Sequence, residues 1–303
     1  MKKKELFFGA ATALVTPFKD GEVDYDSFCR LIDYQIASGI DAIVIGGTTG
    51  EAATLTDRER YSLFSLAKER AQGKVKVIFG TGTNDTSIAV THTKNAEEIG
   101  CDGVLVVTPY YNKGTYTGLI KHYQIIANST DLPIILYNVP SRTGTNLELS
   151  ALETLAKEEN IVGIKEASDS AERLVSLAAF GEELHLYAGN DSTVYTTLSL
   201  GGKGVISVAS NLLPTLISKI CHSYREERRD ESLRLQLKML PFIKSLFKET
   251  NPAPIKYLMS RSWKGVGSPI ISEELRLPLA GVCEETRSLL DERFKSLVGS
   301  VVI

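Results

Sequence analysis

AIVIGGTTGEAATLTDRERYSLFSLAKERAQGKVKVIFGTGT (42–83) sets two short β-branched runs on either side of a segment with helical spacing. The runs 42–50 and 76–83 are nearly continuous in apolar residues before they turn polar, as strands covered on both faces are, and 57–73 spaces its apolar residues three and four apart. The unit is strand, helix, strand. Outward from it, strand-like runs recur at 10–18, 102–111, 133–140, 161–167, 185–191 and 204–210. Helical segments at 24–39 and 86–100 close on a glycine, which suits a helix C-terminus. A doubly wound open sheet and a closed barrel both fit such a repeat, and eight units favour the barrel. From about Pro214 onward the strand signal stops, and 223–247 and 272–298 read as charged helices. The expected fold is therefore α/β: a (β/α)8 TIM barrel over 1–228 that carries the active site, followed by a C-terminal all-helical domain over 229–303. REERRDE (225–231) reads as a solvated helical stretch at the junction.

Composition narrows the function classes. Of the 303 residues, 43% are hydrophobic and 23% charged, so a large core is available. The net charge of -3 with interleaved signs argues against a nucleic-acid surface. No run reaches the ~20 apolar residues of a membrane span. The opening MKKKELFFGAATALVTPF has lysines and a short apolar run like a secretory leader, but its end has the residues of the first strand. Cys29, Cys101, Cys221 and Cys283 form no C-x-x-C pair, and His92, His122, His185 and His222 show no ligand spacing, so neither a disulfide framework nor a metal is expected. A reducing cytoplasm fits best.

In a barrel, chemistry gathers where strands end at their C-terminal side. Those ends are polar here: Thr48-Thr49-Gly50-Glu51, Thr81-Gly82-Thr83-Asn84, Thr108-Pro109-Tyr110-Tyr111, Tyr137-Asn138, Lys165-Glu166 and Gly189-Asn190-Asp191. Each has an innocent reading as cap, gap filler or surface charge. Lys165, directly after apolar strand residues, either points into water or is a half-dried amine able to attack a carbonyl. Ile161, Val162 and Ile164 would supply the apolar surroundings. Tyr137, with Thr48 and Tyr111, would move protons. Arg142 suits a carboxylate, and the Thr48-Thr49-Gly50 turn suits a second, smaller one. GGTTGE (46–51) has neither dinucleotide nor P-loop spacing, and in LGGKGVISV (200–208) the glycines precede the strand, leaving Lys203 as an exposed loop charge.

GTTGE, TPYYNK, YNVPSRTG, GIKEA, GND and GGKGVISV, in this order, resemble the pyruvate-dependent class I aldolases of the dihydrodipicolinate synthase and N-acetylneuraminate lyase family. The match runs from Thr16-Pro17-Phe18 to Asn251-Pro252-Ala253-Pro254-Ile255-Lys256. Arg142 within PSRTG favours the synthase branch over sugar-acid lyases. The resemblance implies condensation of pyruvate with aspartate 4-semialdehyde to 4-hydroxy-tetrahydrodipicolinate, in the diaminopimelate route to lysine, with no cofactor beyond the imine on Lys165. It assigns acid/base work to Tyr137 and the rest of a proton relay to Thr48 and Tyr111. Thr49 binds the pyruvate carboxylate, Arg142 the semialdehyde carboxylate, and Gly189 and Ile206 line the pocket. It also implies a tight dimer, across which Tyr111 reaches the neighbour's site, pairing into a tetramer. Lysine-inhibited relatives use a histidine and a glutamate where Arg60 and Ile88 stand here, although Asn84 and Tyr110 fit that effector site. An arginine repels ammonium groups and an isoleucine accepts no hydrogen bond, so weak or absent feedback by lysine is expected.

Overall fold

The computed structural model describes residues 2–168, 170–261 and 271–300. The parts of the expected helical tail at 262–270 and 301–303 lie outside the described residues. Eight parallel strands close into a barrel: β1 (Gly9–Ala13), β2 (Ala42–Ile45), β3 (Lys76–Gly80), β4 (Gly103–Val107), β5 (Ile134–Asn138), β6 (Ile161–Glu166), β7 (His185–Ala188) and β8 (Gly204–Ser207). Neighbours in sequence are neighbours in the ring, and β1 closes it against β8 through Ala11 and Ile206. The expected barrel is what the chain forms.

Two apolar layers follow from the alternation of side chains along each strand. Ala11, Ala42, Val44, Ile78, Leu105, Ile135 and Tyr137 fill the inside of the ring. Ile43, Ile45, Val77, Phe79, Val104 and Ile134 face the helices and pack with Phe28, Phe64 and Ala96. The helices begin where short polar side chains satisfy free backbone N–H groups: Asp24 and Asp85 cap Tyr25–Ala37 and Thr86–Ile99, and Thr56 with Glu59 forms a reciprocal box at the start of Asp57–Ala71. Gly100 takes the left-handed conformation just after Ile99, as the sequence predicts.

The structure departs from the sequence reading in four places. The first run stops as a strand at Ala13, and Phe18–Lys19 joins Glu22–Val23 in a separate antiparallel hairpin. REERRDE contains a break: one helix ends at Arg225, Glu227 is left-handed at φ 62°, and the next helix starts at Arg229. The stretch 271–283 is not helical; helix Glu284–Val298 follows it, and Pro278, which cannot donate a backbone bond, stands in a turn closed by Leu279 N donating to Arg276 O at 3.1 Å. Lys203 is not a free surface charge, because its ammonium pairs with Glu182 at 2.9 Å and Glu5 at 3.5 Å.

Beyond the barrel, helix Arg229–Ser245 packs on helix Pro214–Arg225, with the Ser232 hydroxyl donating to Ile220 O at 2.7 Å. Helix Ala253–Met259 then returns to the mouth of the barrel, where its side chains meet the loop after β2.

Candidate active site

β6 carries an irregularity that decides where its lysine points. Ile134 pairs with Ile161 but Ile135 pairs with Gly163, so Val162 is an extra residue, a bulge that shifts the alternation by one. Ile161 and Ile164 therefore pack outward among the helices, while Val162 and the side of the strand bearing Lys165 face the axis. The expectation that Ile161 and Ile164 surround the amine is corrected by this shift. The neighbouring strands surround it instead: Lys165 registers with Tyr137 on β5 and Tyr187 on β7, and its Nζ stands 4.1 Å from the centroid of the Tyr137 ring. Lys165 is 5% exposed, and among the described residues no carboxylate lies within ion-pairing distance of it.

The next residue shows the same alternation from the other side. Glu166 turns away from the axis and is held by Arg173 Nε at 2.7 Å, by Asn138 Nδ2 at 3.0 Å and by the Ser168 N–H at 2.8 Å. Two adjacent opposite charges are thus kept apart, and the amine keeps its freedom to react. Asp191, wholly buried beyond β7, accepts from the N–H groups of Val208 and Ala209; burial pushes its carboxyl above the usual range, with Lys165 pulling the other way.

At this end of the barrel opens a cavity of about 860 Å3, whose wall includes Thr48, Tyr110, Tyr111, Tyr137 and Arg142; Lys165 and Thr49 are not part of that wall, and Lys165 lies beside it through the Tyr137 ring. The expected relay residues thus share one cavity, although among the described residues no hydrogen bond joins the hydroxyls of Thr48, Tyr111 and Tyr137. Tyr111, at the cavity's edge, is 91% exposed and held at φ 70°, a left-handed backbone unusual for a tyrosine. Arg142 sits on the short helix Pro140–Thr143 after β5, exposed, with Nη2 donating to Asn251 O at 3.1 Å. Gly189 and Ile206 lie outside the cavity's wall. Ile206 is part of the inner apolar layer, and a Cβ on Gly189 would fall 2.6 Å from Glu166 O.

The loop after β2 is a tight construction. A Cβ at Gly80 on β3 would fall 2.3 Å from Gly46 O, so only glycine lets the two strand ends close up. Thr49 is buried and its hydroxyl accepts from Asn251 Nδ2 at 2.9 Å, while Thr16 Oγ1 donates to Gly50 O at 2.7 Å. Glu51 adopts φ 53° and turns its carboxylate inward onto Lys256 Nζ at 2.6 Å, both side chains being out of solvent. Lys256 Nζ also donates to Glu274 O and lies 4.3 Å from the Phe18 ring centroid. Burial draws its pKa down to about 8 against the pull of Glu51. Glu51, Asn251 and Lys256 were not singled out by sequence reasoning; GTTGE and the segment 251–256 stood in the sequence without a stated connection.

Of the residues placed by resemblance at an effector site, Arg60 and Tyr110 line the same cavity, whereas Asn84 and Ile88 do not. Asn84 O accepts from Asn112 Nδ2 at 2.9 Å, and Ile88 is exposed in the first turn of Thr86–Ile99. A second cavity of similar size opens at the other end of the barrel beside Lys2, Lys4 and Glu159, far from the strand ends that bear the hydroxyls; there the Lys3 ammonium is taken up by Glu158 O at 2.6 Å. Among the described residues no three histidine, cysteine or acidic side chains converge to hold a metal ion, and no helix is long and apolar enough to cross a membrane.

Residues 6–297 match the dihydrodipicolinate synthetase family. The chain is 44% identical over 291 residues to the 4-hydroxy-tetrahydrodipicolinate synthase of Alkaliphilus oremlandii, covering 96% of this chain and 98% of that one. It is 46% identical over 294 residues to the enzyme of the same name from Campylobacter jejuni subsp. doylei, covering 96% and 97%. The crystal structure of dihydrodipicolinate synthase from Thermotoga maritima superposes with a TM-score of 0.91 at 40% identity, covering 97% of this chain and 99% of that one. The chain therefore belongs to the dihydrodipicolinate synthetase family, the class I aldolase-type lyases that its motifs resemble.

Proposed function

We propose that the chain condenses pyruvate with L-aspartate 4-semialdehyde to give 4-hydroxy-tetrahydrodipicolinate, through a Schiff base on Lys165. The observation that carries the reading is a buried amine, without a carboxylate partner among the described residues, set 4.1 Å from the ring of Tyr137, which itself lines a large cavity. The amine adds to the pyruvate carbonyl and water leaves, giving a protonated imine. That cation withdraws electrons from the methyl carbon, which loses a proton and becomes the nucleophile toward the aldehyde. The product's own amino group then adds to the imine carbon, closes the ring and releases Lys165.

In this reading Tyr137 carries these protons, with Thr48 and Tyr111 as the relay to solvent. Thr49, held by Asn251, and the backbone of the Thr48-Thr49-Gly50 turn receive the pyruvate carboxylate. Arg142 receives the carboxylate of the semialdehyde with its free N–H groups. Gly189 and Ile206 set the floor near the amine. The exposure and left-handed backbone of Tyr111 support a tight dimer in which it completes a neighbour's site, with two dimers pairing into a tetramer. No separate cofactor enters this chemistry. The free thiols of Cys29, Cys101, Cys221 and Cys283 suit a cytoplasmic enzyme, and the barrel with its helical unit from Arg229 onward forms the two domains of that enzyme. Arg60 and Ile88 support weak or absent inhibition by lysine.

Steady-state turnover tests the substrate pair. Pyruvate with aspartate 4-semialdehyde should turn over with both substrates saturable, and N-acetylneuraminate should not be cleaved. Cleavage of the sugar acid without use of the semialdehyde would replace this reading by the sugar-acid lyase.

A further inference from the structure

Asp191 is a buried acid that the reaction above does not use. It stands just past β7, where Gly189 N–H donates to Glu166 O at 2.7 Å, so the chain leaves that strand level with the residue after Lys165. Asp191 is 1% exposed, and its Oδ2 reaches across to the end of β8, accepting from the N–H groups of Val208 at 3.0 Å and Ala209 at 3.1 Å. The Ser207 hydroxyl stands near as a further donor without closing a bond to Oδ1, which is buried and makes no hydrogen bond.

The place of this acid is set from outside the barrel. Gln236, buried on helix Arg229–Ser245, donates from Nε2 to Asp191 O at 3.0 Å and accepts on Oε1 from Tyr195 N–H at 3.1 Å. One carboxamide thus ties both ends of the turn after β7 to the helical domain.

The neighbours decide the acid's charge. Burial pushes the carboxyl upward, while the two N–H donors, the Ser207 hydroxyl and the charge of Lys165 all favour the anion. A protonated carboxyl would need an acceptor for its hydrogen, and Oδ1 has no hydrogen-bond partner. Burial keeps the phenol of Tyr187 and the thiol of Cys221 protonated, and Tyr137 turns its ring toward Nζ. Among the described residues Lys165 is therefore the cation that acts on Asp191, yet the two form no ion pair. That separation suits the chemistry. A carboxylate bonded to Nζ would hold the amine as an ammonium, whereas one kept at a distance leaves the lone pair free to attack. Once water has left and the nitrogen has become a cationic imine, the same field stabilises it, and the apolar inside of the barrel screens that field little.

We propose that Asp191, set in place by Gln236 of the helical domain, is a positioning residue for the Lys165 chemistry, its carboxylate being the counter-charge to the protonated imine. The inference rests on the Schiff-base reading of Lys165 and adds to it a task for the helices after the barrel.

The rate at which cyanoborohydride traps pyruvate on the full-length protein, followed by intact mass from about pH 5 to about pH 10, tests it. The acid limb of that profile reports the free amine and the alkaline limb the imine proton. Asp191→Asn keeps an oxygen for the two N–H groups and removes the charge. A cation on Nζ is then less favourable, so both limbs should move to lower pH by about one unit. With them kcat should fall by about tenfold, the rate equivalent of that shift, while KM for the semialdehyde changes less than about twofold. Gln236→Met, similar in size and unable to bond to the turn, should move the limbs the same way by less. Slower trapping or a lower melting temperature with both limbs in place would mark a merely structural role and overturn the proposal. A wild-type protein that traps no pyruvate removes the Schiff-base reading and this inference with it. Normal trapping in wild type with an unmoved profile in Asp191→Asn overturns this inference alone. If Asp191→Asn does not fold, Gln236→Met decides: a shift to lower pH supports the counter-charge, and an unmoved profile overturns it.

Discussion

Replacing Lys256 by methionine removes one half of an ion pair that is out of water on both sides. The wild-type ammonium sits 2.6 Å from Glu51 Oε1 and 2.8 Å from Glu274 O, with side-chain exposures of 0% and 1% for the paired residues. In Lys256→Met the Glu51 carboxylate stays buried with the Arg276 N–H at 3.0 Å as its remaining bond. Breaking a buried pair in this way costs about 3–5 kcal/mol. An unfolding entropy of about 2 cal/mol/K per residue gives a chain of 303 residues about 0.6 kcal/mol per degree, so the melting temperature should fall by about 5–8 °C. The double variant Glu51→Gln/Lys256→Met has no buried charge to strand and should recover most of that loss. Activity should not recover with it. Glu51 ends the turn that presents Thr48 and Thr49, so the KM for pyruvate should stay raised by about tenfold in both variants, while kcat changes less. Calorimetry and a coupled assay with pyruvate as the varied substrate read the two effects separately. A melting temperature within a degree of wild type in Lys256→Met, or a double variant with wild-type KM, would refute the reasoning.

Arg142→Ala should lower kcat/KM for aspartate 4-semialdehyde by about 10- to 100-fold, the loss of a charged hydrogen bond, and leave reduction-trapping of pyruvate unchanged; unaltered kinetics with the semialdehyde would remove Arg142 from substrate binding. The Glu59–Arg276 pair predicts a pH dependence. Hydrogen bonding to Arg276 holds Glu59 at about 2, below its unfolded value of about 4.3, so its contribution to stability is complete above the unfolded pKa and is lost as the pH falls toward 2. The stability difference between wild type and Glu59→Gln, measured by urea unfolding from pH 7 to pH 3, should therefore shrink on the acid side; a constant difference would contradict the assignment.

What the sequence made legible follows from the range of each interaction. The eight strands and their helices repeat a local period, and caps such as Asp24, Thr56 and Asp85 lie next to the helices they start, so the barrel could be read from neighbouring residues. Lys165, Tyr137 and Thr48 stood at strand ends, and barrel geometry alone brings such ends together. The bulge at Val162 was not legible: one extra residue turns Ile164 outward along with Ile161 and brings the Lys165 side of the strand to the axis, and nothing in the composition of IVGIKEA marks it. The contacts from Asn251 to Thr49 and from Lys256 to Glu51 span more than 200 residues, and depend on how the helices after the barrel return to its mouth. No local pattern encodes that return.

Borohydride reduction tests the central claim most directly. The protein is treated with and without pyruvate, weighed intact and digested. The account predicts one reduced pyruvate adduct per subunit, formed only when pyruvate is present and located on Lys165. A folded protein that gains no such mass, or carries it on another lysine, would contradict the account.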